Sequence, residues 1–142
     1  MGARNWLSRL LSAVGLGGEP EYMELTFESL NETDRIVVTT NLNRPLKRIE
    51  EAETIGKVLE FVKGHRDGWH VPPEGVPVAK VRLNFYHGDR PLGNLGVGRT
   101  FLAAHQHGSF FSKTSAETDR SRLLEIIGMQ DDQDISDPLA HN

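Results

Sequence analysis

Histidines are the residues whose spacing comes closest to a reactive site. His105 and His107 stand two apart. On a strand that spacing puts both imidazoles on one face, where they could begin a zinc or copper site. His87 lies in a neighbouring turn and could join them, with Asp89 as a carboxylate donor. The competing expectation is structural: His107-Gly108 has the composition of a hairpin tip, and His105 would end a strand near solvent. No outer partner that would orient the rings is evident.

Asp67-Gly68-Trp69-His70 opens a loop that runs through Pro72, Pro73 and Pro77. An exposed Trp69, with His70 beside it, could anchor a partner, because large aromatics dominate interface energies. The favoured alternative folds Trp69 back over the core as a lid, with Asp67 closing the preceding helix. A third group lies near the N-terminus. Trp6, Leu7, Leu10, Leu11 and Val14 recur at helical spacing, with Arg4 and Arg9 among them. Through Trp6 and Leu10 such a helix could enter a partner groove, lie in a membrane interface over residues 1–16, or pack on the second face of the domain's own sheet.

Other chemistries find less support. Gly93, Gly96 and Gly98 suggest a phosphate cradle, but that motif needs a helix next, and Phe101–Gln106 reads as a strand. The glycines suit bulges or close packing instead. No Gly-x-Ser-x-Gly occurs. Glu50-Glu51 reads as a solvated helix start rather than a glycosidase pair. No residue is singled out as catalytic, and nothing calls for a cofactor. Lys80 and Arg82 make a basic strand face that could meet an acidic partner.

The elements that must position these residues follow from periodicity. The chain has 142 residues, 37% hydrophobic and 25% charged, with a formal net charge of −4. That suits one globular domain and argues against general nucleic-acid binding. Absent cysteines remove disulfides, thiolate nucleophiles and sulfur-based zinc sites. No run approaches the roughly 18 apolar residues of a spanning helix. The N-terminal apolar run is too short and broken for a clear secretory signal.

Alternation predicts strands near 22–28, 35–41, 78–86, 91–98, 101–106 and 109–114. Ile49, Ala52, Ile55, Val58, Leu59 and Val62 predict a helix near 50–64. Thr114 to Glu117 resembles a capping box before a helix near 115–127. The first two strands should form a hairpin. A three-residue loop at His87-Gly88-Asp89 would set Val81 opposite Leu95. Gln106 should face Ser109, placing Leu102, Ala104 and Phe111 on one face and Phe101, Ala103 and Phe110 on the other.

The expectation is an α+β domain over 21–129, a mostly antiparallel sheet with two helices on one face (β-β-α-β-β-β-β-α). An amphipathic segment and hinge over 1–20 should precede it, and an acidic, disordered tail over 130–142 should follow. The expected role is a non-enzymatic binding module for another protein. A histidine-based metal protein or metalloenzyme, and a peripheral membrane protein tethered by its first helix, are the alternatives. A cytoplasmic location is the default.

Overall fold

A computed structural model describes residues 22–73, 75, 78–106 and 108–130. The expected helix near 4–14 and the acidic tail from 131 onward lie outside the described residues. Six antiparallel strands form one sheet: β1 (Arg35–Thr40), β2 (Pro45–Ile49), β3 (Val81–His87), β4 (Arg90–Val97), β5 (Phe101–Gln106) and β6 (Ser109–Thr114). Their spatial order is β2-β1-β3-β4-β5-β6. Helices α1 (Ala52–Lys63) and α2 (Glu117–Ile126) pack on one face, so the class is α+β.

The core is the sheet face that meets these helices. Ile36 and Val38 of β1, Leu83 and Phe85 of β3 and Leu95 of β4 are buried there with Val58 and Val62 of α1 and Leu123 of α2. Cross-strand pairing brings the apolar positions together: Ile36 faces Ile49 and Phe85, Leu83 faces Leu95, and Ala104 faces Phe111. Ile55, Val58, Phe61 and Val62 are the buried stripe of α1, as the helical spacing requires.

The first hairpin is not the expected one. Residues 22–28 form no sheet strand. Met23, Leu25 and Phe27 do alternate inward, and Leu25 and Phe27 are buried. Yet the segment pairs only through Met23 with Trp69, and Leu25 N–H reaches the Arg66 carbonyl. Phe27 then takes a left-handed conformation (φ 57°) and starts a 3-10 turn, Glu28–Glu32. The true partner of β1 is β2, which contains Pro45, Lys47 and Arg48. Proline and paired cations suit an edge strand. The intervening turn is held by the Thr40 hydroxyl, which accepts from Leu42 and Arg44 N–H, and by Asn43 at φ 63°.

The β3–β4 register also differs. His87 faces Arg90, so the loop is Gly88-Asp89, and Val81 faces Val97 rather than Leu95. A two-residue loop alone would put Arg82 beside Leu95. A bulge between Phe85 and Tyr86, with Leu92 as the extra residue, restores the apolar match. Gly93 next to it has φ 151°, and a Cβ there would stand 3.2 Å from the His105 carbonyl. The β5–β6 hairpin follows the expected register, with Gln106 facing Ser109. The helix after β6 starts later than expected. Ala116 is the cap and has no side-chain acceptor, so only the return half of a capping box forms, from Ala116 N–H to Asp119 Oδ2 at 3.2 Å.

Candidate functional site

Register places one row of side chains across the sheet face opposite the helices. Arg48, Val37, Asn84, Asn94, His105 and Phe110 pair in succession from β2 to β6. Arg35 and Tyr86 pair one row to one side. Thr39, Arg82, Gly96, Ala103 and Ser112 make the row on the other. This face is built by the same alternation that sends Ile36, Leu83 and Leu95 into the core.

Its geometry is specific in places. Phe110 is 51% exposed, and its ring stacks on His105 with centroids 4.4 Å apart. Asn84 Nδ2 donates to the Val37 carbonyl at 3.0 Å and to Thr39 Oγ1 at 3.1 Å. The Arg35 guanidinium lies 4.7 Å above the Tyr86 ring, a cation–π contact. Arg35 Nε is buried without a hydrogen-bond partner. A cavity of about 250 Å³ opens among Asn84, Tyr86, Pro91, Asn94 and His105, and a shallower groove of about 490 Å³ lies between Arg35, Val37, Leu46 and Arg48.

The sequence-derived site residues fall in different places. Trp69 is wholly buried, with its Nε1 donating to the His65 carbonyl at 2.6 Å and its ring edge-on to Phe27. It is the lid, and the exposed anchor is corrected: the loop backbone is pinned between Met23 and β6, which turns the indole inward. His70 is half-buried and pairs by backbone with Ser112, continuing the sheet past β6. Its ring meets Tyr22 edge-on at 5.5 Å, and its Nδ1 is buried without a partner. Trp6, Leu10 and His107 lie outside the described residues.

His87 and His105 are not neighbours. His87 faces Arg90 while His105 faces Asn94, so they stand about 13 Å apart along the strands and roughly 10 Å across them. His87 Nδ1 donates to the Glu32 carbonyl at 2.8 Å and lies 3.4 Å from Asp34 Oδ2. Among the described residues no three His, Asp or Glu side chains gather as a metal-holding group. None of the glycines at 93, 96 and 98 precedes a helix. Gly93 serves the bulge, Gly96 admits Ala79 above it, and Gly98 lies under the Phe101 ring.

A charged cluster between the helices is structural. His65 Nε2 lies 3.4 Å from Asp119 Oδ2, and the Ser115 hydroxyl donates to the same oxygen at 3.0 Å. Burial would raise the Asp119 pKa, but the Ser115 hydroxyl, the Ala116 amide and the His65 ring outweigh it and hold it below 3.8.

Sequence reasoning missed Arg35, Asn84, Tyr86 and Asn94. Alternation did assign Arg82, two residues before Asn84 on the same strand, to a polar face. Only the register could add β1 and β4 to that face and align them with His105. Comparisons with family models, curated proteins and solved structures found no match. Among the described residues no helix is long and apolar enough to cross a membrane.

Proposed function

We propose that the protein is a non-enzymatic binding module that engages another protein through the sheet face opposite its helices. The observation that carries this reading is Phe110. A large ring half in water, stacked on a His105 that lines a polar cavity, is the arrangement of an interface anchor with orienting groups beside it. Trp69 has no part in it, because it belongs to the core.

Photo-crosslinking tests the reading. A photoreactive phenylalanine analogue at position 110 should give one discrete protein adduct in the native cell. The same analogue at Thr118, exposed on α2, should not. The adduct should disappear when His105→Ala is added to a chain whose melting temperature is unchanged. Equal labelling from both positions, or none from position 110 in a folded chain, would count decisively against a binding face there.

A further inference from the structure

We infer that the partner presents an acidic polypeptide segment, paired with Arg35 and Arg82 and packing an apolar side chain on Phe110; this rests on the binding-face reading above. The chain has 20 Asp and Glu residues and a net charge of −4, yet no strand contains an acid. The strands carry cations instead, and most of these have work inside the molecule. Lys47 Nζ donates to the Ile127 carbonyl and Lys113 Nζ to the Asp67 carbonyl, each at 2.6 Å. Arg90 pairs with Glu32 and Arg48 with Glu50.

Arg35 and Arg82 are left over. Neither has an ionic partner among the described residues, and both are half-buried on the face opposite the helices, Arg82 in a row whose other members are buried. The Arg35 guanidinium lies 4.7 Å from the centre of the Tyr86 ring, and its Nε is buried without a hydrogen-bond partner among the described residues. A carboxylate could take the terminal guanidinium nitrogens in a forked contact, which arginine provides and lysine does not. The two arginines sit on adjacent strands four residues apart in register, about 14 Å at the backbone. Acidic residues four apart on an extended segment have the same spacing. Phe110 lies three strands from Asn84, roughly 14 Å across the sheet, a distance that about four further residues of extended chain span.

The test is an amide-resonance titration of the full chain at low ionic strength. The probe is a hexaglutamyl-phenylalanine peptide, run beside its hexalysyl counterpart and a thymidine oligonucleotide of equal charge. Shifts should be confined to the amides around Arg35, Val37, Arg82, Asn84 and Phe110, with none for the lysine peptide. Arg35→Gln and Arg82→Gln should each weaken the acidic peptide roughly two- to fivefold, and Lys57→Gln should not. Equal shifts with the oligonucleotide overturn the proposal in favour of a general polyanion surface. Shifts that emerge only after Asp131, Asp132, Asp134 and Asp137 are changed to Asn overturn it in favour of the chain's own acidic end. A position-110 photo-adduct that survives both arginine changes keeps the binding face and sinks its acidic selectivity.

Discussion

Trp69 carries more of the fold than its loop position suggests. Its ring is wholly buried edge-on to Phe27, and its indole N–H satisfies the His65 carbonyl just past the helix end. Trp69→Ala should cost about 3–5 kcal/mol in urea unfolding, and Trp69→Phe about 1–2 kcal/mol, the share of the hydrogen bond and the smaller ring. Asp119 gives a pH signature. Its folded pKa is lowered, so its stabilising contribution is full above the ordinary carboxylate value of 3.8 and is lost as the pH falls through the lower folded value. Asp119→Asn should be less stable than the native chain at neutral pH. The gap should close on acidification, read by thermal melts between pH 6 and about pH 2.

At the scale of elements, the β4 bulge decides which side chains reach the open face. Strand period is two, so a one-residue slip exchanges the faces of a whole strand. Deleting Leu92 should remove the bulge yet leave Leu95 opposite Leu83 in a regular two-residue hairpin, so cooperative unfolding should survive; one alanine inserted after Gly93 should instead turn Leu95 and Val97 outward, and loss of cooperative unfolding would report it. Gly93→Ala, at φ 151° and 3.2 Å from a carbonyl, should cost about 1–3 kcal/mol. The same arithmetic explains why the register expected from sequence was wrong by two residues while its face assignment held. Apolar matching tests parity alone, and a loop one residue shorter with a bulge one residue longer has the parity of the loop proposed. The missing strand at 22–28 has a similar cause. Met23, Leu25 and Phe27 must turn to one side, toward the core, but burial does not require a ladder, and Phe27 turns the chain away before one can form.

At the scale of the whole molecule, a two-layer fold keeps the proposed binding face apart from the core. The helix-facing side of the sheet holds the core, and the opposite side holds Arg35, Arg82, Asn84, His105 and Phe110. Phe110→Asp should therefore change stability by less than about 0.5 kcal/mol while weakening the acidic peptide, a separation that paired melts and amide titrations would show. Amide exchange should be slowest in β1, β3 and β4, which are paired on both sides, and faster in β2, whose outer edge is free among the described residues.

Sequence alone determined the class, both helices, five of the strand positions and the two faces of the β5–β6 hairpin. Those features depend on local periodicity, which every chain displays directly. It also placed Arg82 on a polar face, whereas Lys80 lies before β3 begins. Which polar faces join was decided by tertiary structure, because cross-strand neighbours are set by loop lengths, a bulge and the identity of the pairing strand. None of these has a period to read. The burial of Trp69 was decided there too, through backbone bonds from Met23 and Ser112 that fasten its loop between segments far apart in the chain.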